Sequence, residues 1–486
     1  MATALQMAGE GSTGKVVISG MYYLGNKPYQ LPSVGFPVTI TGKTLDDGIR
    51  YTGASVAAPI NRSISLSGET TFEHLTMFAD SGYTHNIILA NGHKLTIGEG
   101  VNSICREGKT YYFAIYGGAY NEGDVVESTD VTIRSGTWRG VYAGGYDSIV
   151  TGTAKLDISG ATVYDSIHAS RMGNLGKLEL TISDTTVLTG GIYAGSFTAN
   201  SPKKLGFVKE GVTITLGENV VAPYLYCSAK TYGGIQGGVT LILKGTDMTK
   251  VPLAARYPSL SASYTTDWIL VKLGVDISAD LTLEPAMELD LSGYDITGEL
   301  TVDGALTVYD SATDDYDVSD GVFGSITGNV TGTLVAKDGY VAAANGFHRF
   351  GGQYISGVSL RPGNAGIYYT ATVLADEVLR DAMETGVAVS LTDLPGTDFE
   401  TDEDTLYTTG SHGVLIQNIL KGDTEDADRA IMDIYAASYA KLPDGTVLVS
   451  DENIAYSLYD VLLAVREQNP AAFESFCKTY NIENWF

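Results

Sequence analysis

At 486 residues, with 44% hydrophobic and 18% charged residues, the chain is long enough for two or more ordinary domains and too apolar to be generally disordered. Its 57 acidic residues outnumber 30 basic ones, and the net charge of −27 would repel nucleic-acid phosphates and anionic lipid headgroups. Three cysteines, Cys105, Cys227 and Cys477, are too few and too scattered for a disulfide framework, and no run of about 18 apolar residues is present to span a membrane.

Residues 1–13 read as a flexible N-terminal segment. They lack the basic and apolar regions of a signal peptide, so export would imply a processed form. The stretch from Gly9 to Lys15 mimics a phosphate-binding loop, but Val16 stands where a Ser or Thr must reach magnesium, and the stretch precedes a strand instead of following one.

From residue 14 short strands recur, as in Val16-Val17-Ile18, Val38-Thr39-Ile40, Ile64-Ser65-Leu66 and Leu95-Thr96-Ile97. The recurrence is clearest from Asp130 to Leu243, where strands ending at Ile133, Ile158, Ile182, Ile214 and Leu241 lie 25, 24, 32 and 27 residues apart. That is the period of stacked repeat units. The first four strands are each followed by a second apolar-aromatic step: Val141-Tyr142, Ile167-His168, Ile192-Tyr193 and Leu225-Tyr226, with Ile115-Tyr116 matching upstream.

The pattern predicts a mainly β chain. A right-handed parallel β-helix, or solenoid, is expected over 14–346 with two strands per turn, Ile, Val and Leu inside and Thr, Asp and Lys facing water. Leu281-Thr282-Leu283, Leu289-Asp290-Leu291, Leu300-Thr301-Val302 and Leu306-Thr307-Val308 continue the array at shorter spacing.

A small α+β domain is expected over 347–486. One helix can start at Asp376 and stop at Gly386. Ser457 can cap a second, with Leu458, Val461, Leu462 and Val465 on one face, and Asn469-Pro470 opens a third carrying Phe473, Phe476, Cys477 and Tyr480.

The phrases Thr71-Phe72-Glu73-His74-Leu75, Asn91-Gly92-His93-Lys94-Leu95-Thr96-Ile97-Gly98 and Leu289-Asp290-Leu291-Ser292-Gly293-Tyr294 resemble secreted or cell-surface parallel β-helix repeat proteins of anaerobic Gram-positive gut bacteria. Val358-Ser359-Leu360-Arg361-Pro362, Ala365-Gly366-Ile367-Tyr368-Tyr369 and Asp444-Gly445-Thr446-Val447 resemble the small end domain of the same proteins. The resemblance covers most of the chain. It implies an extracellular or cell-surface location and a β-helix, and it supplies no catalytic residue.

Several constellations bear on chemistry. A lyase would need acidic calcium ligands and an Arg or Lys base on one wall; Arg134, Arg139, Asp147, Asp165, His168 and Arg171 lie in neighbouring repeats, yet scattered charges are what any solvated coil shows. Asp314-Asp315-Tyr316-Asp317 with Asp320 fails the EF-hand register, which leaves a weak loop-held Ca²⁺ as an alternative to a solvated acidic turn and no other cofactor; the stretch from Asp398 to Asp404 reads the same way.

The candidate binding residues are Tyr116, Tyr142, His168, Tyr193 and Tyr226. They form either a packed ladder or an exposed strip for sugar rings, and matched positions in stacked strands favour the ladder. The expectation is a structural or adhesive surface protein without catalytic activity. Polysaccharide lyase or glycoside hydrolase action on the wall, and non-catalytic carbohydrate binding, are the alternatives, with glycans or host or cell-surface proteins as partners.

Overall fold

The repeat is physical as well as textual: its strands lie side by side. The structure, a computed structural model, describes residues 3–4, 7, 14–24, 28–43, 54–58, 63–79, 86–105, 112–197, 206–260, 263–312, 323–344, 346–391, 406–407, 413–450 and 454–486. Most of the N-terminal segment, the Gly9–Lys15 stretch up to residue 13, Asp314 to Asp320 and Asp398 to Asp404 lie outside the described residues. The chain divides into two units, Met1–Val308 with Ile326–Val335, and Tyr309–Ser325 with Ala336–Phe486.

The first unit is built on long parallel sheets, consistent with a solenoid. In the longest, strands follow one another in sequence order from Lys15–Val17 through Val38–Thr41, Thr70–Glu73, Leu95–Ile97, Thr129–Ile133, Ile149–Ser159, Leu175–Ser183, Val212–Leu216, Val239–Leu243 and Ile269–Leu273. Register sets one residue per strand in a common column: Val16, Ile40, Phe72, Ile97, Ile133, Ile158, Ile182, Leu216, Leu243 and Leu273 are successive partners. All are buried. Each column residue packs on the next, so apolar burial of about 1.5–3 kcal/mol per large aliphatic side chain accumulates turn by turn.

The 32-residue interval suggested that Ile214 sits opposite Ile182, but its partner is Leu180, and Leu216 faces Ile182. A shift of two residues keeps the same face inward, so the sequence pattern could not distinguish the registers. The intervening positions face outward: Thr39, Thr71, Thr96, Thr132, Asp157, Thr181 and Thr215 form the matching outer stripe.

A second sheet takes Tyr29–Gln30, Ser63–Ser65, Ile87–Leu89, Ala114–Tyr116, Val141–Tyr142, Ile167–His168, Ile192–Tyr193, Leu225–Tyr226 and Leu253–Ala254. Between the two come short parallel strands, first Met21–Tyr23, Ser55–Ala58, Thr76–Ala79 and Asn102–Cys105, then Thr137–Trp138, Thr162–Val163 and Val187–Leu188. Turns through Leu188 thus carry three strands, where two were expected. The later middle strands are two residues long, too short to show a period, yet Trp138, Val163 and Leu188 bury there in register. Toward the end of the unit the turn shortens to 19 residues, with Ile277 opposite Ile296 and Leu281 opposite Leu300. Asp276 and Asp280 accept from the backbone N–H of Asp295 and Glu299, each at 3.0 Å, and fasten this shorter turn.

The second unit contains two antiparallel sheets and a core around Ile367, Tyr369, Val387, Ala436, Leu462 and Phe476. Ser457 and Asp460 make a capping box at the start of Leu458–Gln468, and Asn469 with Pro470 opens Pro470–Tyr480. Asp376 caps its helix through Leu379, but the helix spans only Glu377–Ala382. Met383 is already extended and Gly386 pairs with Tyr439 in the strand Glu384–Ser390, because sheet pairing satisfies those backbone groups in place of another helical turn. Among the described residues no helix is long and apolar enough to cross a membrane.

Candidate functional site: an aromatic ladder and its outer layer

The second sheet places Ile115, Val141, Ile167, Ile192 and Leu225 in one buried column and the residue after each on the opposite face. Those following residues are Tyr116, Tyr142, His168, Tyr193 and Tyr226, and their rings form one continuous ladder. Tyr116 and Tyr142 stack at 4.4 Å with 4° between planes, Tyr142 and His168 at 5.4 Å, His168 and Tyr193 at 4.5 Å, and Tyr193 and Tyr226 at 5.1 Å. Strand spacing of about 4.8 Å is what brings flat rings at matched positions into contact.

The ladder is enclosed rather than displayed. Tyr116 is fully buried and Tyr226, the most accessible of the five, is only 8% exposed. For the three middle rings the residue two positions before explains the fit. A Cβ on Gly140 would lie 3.3 Å from the Tyr142 ring and one on Gly191 3.2 Å from the Tyr193 ring, so these rings occupy the space a side chain would fill. Where the ring is His168, Ser166 stands in that place, and its hydroxyl lies 2.9 Å from the imidazole Nε2.

Sequence reasoning found the ladder but missed the layer over it. Three or four residues after the ladder position, successive turns supply Tyr120, Tyr146, Arg171, Phe197, Lys230 and Tyr257. Several reach back across a turn. Tyr146 packs on Tyr116 at 5.6 Å, Phe197 on His168 at 5.2 Å, the Lys230 ammonium lies 5.1 Å from the Tyr193 ring centre, and Tyr257 meets Tyr226 edge-on at 5.1 Å. Within the layer Tyr120 stacks on Tyr146 at 4.4 Å, the Arg171 guanidinium sits 4.2 Å over Tyr146, and Lys230 sits 5.0 Å from Phe197. The signal lay in the recurring offset from the ladder residue, hidden by the change of residue type from Tyr to Arg, Phe and Lys.

Burial sets the protonation of the ladder. It drives the Tyr142 hydroxyl well above the usual tyrosine value, with the neighbouring Tyr116 adding to the shift. Burial also raises Tyr116, while the nearby Arg171 works in the opposite direction. His168 is pushed well below the usual imidazole value by burial and by the Lys230 and Arg171 charges. The ladder is therefore a stack of neutral rings at neutral pH. The Tyr116 hydroxyl, the His168 Nδ1 and the Arg171 Nε are enclosed without a hydrogen-bond partner.

Of the six residues weighed for lyase chemistry, Arg134 stands apart and the other five gather at the ladder and its outer layer. Arg134 lies after a strand of the long sheet and forks onto Asp157 with contacts of 2.9 and 2.6 Å. Arg139, Asp165, His168 and Arg171 cluster around the ladder, and Asp147 lies near Tyr120. Among the described residues there is no group of three or more His, Cys, Asp or Glu placed to hold a metal ion. Cys227 is a buried free thiol whose burial raises it far above the usual value. What this arrangement offers is a surface of partly exposed rings and two cations on a rigid wall, which suits binding. No protein-family model, curated protein or solved structure matches the chain.

Proposed function

We propose that this chain is a non-catalytic, secreted or cell-surface scaffold of structural or adhesive role. Its parallel sheets close into a right-handed β-helix followed by a small α+β domain, after the manner of the gut-bacterial surface proteins its motifs resemble. The observation that carries the reading is the unbroken column from Val16 to Leu273, which holds the strands in register over ten turns. Such a wall projects side chains at fixed intervals of about 4.8 Å, which is the property a scaffold or adhesin needs.

Electrostatics fits a packed structural stack: burial moves the ladder tyrosines up and His168 down, which keeps all five rings uncharged at neutral pH. The test is incubation of the purified protein with a panel of polysaccharides, following new reducing ends and unsaturated products. No turnover on any chain, with retention of some, is the expected result; sustained product formation would overturn the reading.

A further inference from the structure

We propose that the layer over the aromatic ladder is a binding site for a carboxylate-bearing polysaccharide, in which Arg171 and Lys230 pair with the carboxylates and Phe197 and Tyr257 lie against the sugar rings. The inference gives the adhesive reading a ligand and rests on it.

Many cations of this acidic chain are held in ion pairs, while some, such as Arg361 over Tyr368 and Arg466 over Phe473, lie on rings. Lys15, Lys94, Arg134, Lys155 and Lys272 each contact an Asp or Glu carboxylate. Arg171 and Lys230 have no carboxylate partner among the described residues, and both lie on ring faces instead. Neither is held in a direct ion pair there, and because the net charge of −27 would repel a polyanion at long range as it would a nucleic acid, binding has to come from direct contact with these two groups. The Arg171 guanidinium is half-buried between the Tyr146 ring and the Tyr116 hydroxyl, which fixes its position. An anion arriving at this stripe would supply the charge partner that neither side chain has among the described residues.

Spacing selects a polymer. Arg171 and Lys230 belong to turns two apart, so they stand on the order of 10 Å from each other along the wall, with Phe197 on the turn between. Cation, ring and cation in a row match a chain that presents charged groups and apolar sugar faces in alternation. The planar guanidinium fits a carboxylate through two parallel N–H donors, and the rings offer flat apolar area with little side-chain entropy to lose. At the far end of the stripe the Tyr257 N–H donates to the Ser228 hydroxyl, and Ser228 also lines an open hollow of about 230 Å³ beside Arg256, large enough to seat the end of such a chain.

The full chain would be titrated with alginate, hyaluronan and polygalacturonate, each beside its carboxyl-reduced form, by calorimetry at low and moderate salt. Binding of at least one acidic chain, loss on carboxyl reduction, weakening with salt, and a drop of about tenfold in affinity for Arg171→Gln with Lys230→Gln are expected. Lys155→Gln, on the other sheet, should leave affinity unchanged, and unaltered thermal unfolding would show that the variants fold. Equal binding of reduced chains, full affinity in the double variant, or binding of none of the three would overturn the site and leave the scaffold reading standing. Cleavage of a chain held through Arg171 and Lys230 would leave the site standing and overturn the non-catalytic reading.

Discussion

His168 lies against Tyr193 with ring centres 4.5 Å apart and 13° between planes, and in that stack it is an uncharged imidazole. Its folded-state value is depressed, so above the ordinary imidazole value both folded and unfolded chains are neutral and nothing is lost. Below that value the unfolded chain takes up a proton that the folded ladder refuses, and stability falls by up to about 1.4 kcal/mol per pH unit until the folded value is reached. Replacing Ser166→Gly and His168→Tyr copies the Gly-x-Tyr pattern of adjacent turns. The double variant should melt with less dependence on pH between 7 and 5 than the wild type, and an unchanged slope would refute the assignment.

The inner column and the outer face of one strand should respond differently. Ile158→Ala removes a fully buried column residue and is expected to cost about 3 kcal/mol, seen as lost amide protection in its own and adjoining turns. Asp157→Ala breaks a half-exposed ion pair with Arg134 and should cost about 1 kcal/mol or less. Hydrogen exchange read strand by strand compares the two.

Neighbouring glycines provide a sharper contrast. A Cβ on Gly190 would lie 1.8 Å from the Asp165 carbonyl oxygen, a backbone atom that cannot step aside, whereas one on Gly191 would meet the Tyr193 ring at 3.2 Å. Gly190→Ala should therefore cost more than about 3 kcal/mol and Gly191→Ala about 1 kcal/mol, with a change in the near-ultraviolet dichroism of the tyrosine stack for the latter. Comparable melting temperatures for both variants would contradict the local geometry.

In the second unit, Asp376 accepts from the Leu379 N–H at 2.8 Å and lies 3.1 Å from His348 Nδ1, with both side chains buried. Burial would raise this carboxyl, but the His348 contact and the helix-start N–H groups outweigh it and hold it below the usual carboxylate range. Its contribution is complete above the ordinary aspartate value and is lost as pH falls through the lower folded value. Asp376→Ala removes the cap and leaves His348 without its carboxylate, an expected loss of about 3 kcal/mol or more. Chemical denaturation at pH 7 tests this, and the gap between variant and wild type should narrow in acid.

Local chemistry carried much of the fold. The alternation in Val131-Thr132-Ile133 gives each strand one buried face, and its recurrence every 24 or 25 residues puts Ile133, Ile158 and Ile182 in line on parallel strands. Ser457 and Asn469-Pro470 likewise mark their helix starts by local hydrogen bonding alone. Matched ring positions were legible for the same reason. Three things were decided only by tertiary structure. Pairing with Leu180 instead of Ile182 fixed the position of Ile214, pairing with Tyr439 drew Gly386 into a strand, and stacking across turns laid Tyr146, Arg171, Phe197 and Lys230 over the ladder. Each depends on residues about 25 to 55 positions away in the chain, and a sequence pattern records which face a residue prefers but not which distant neighbour will cover it.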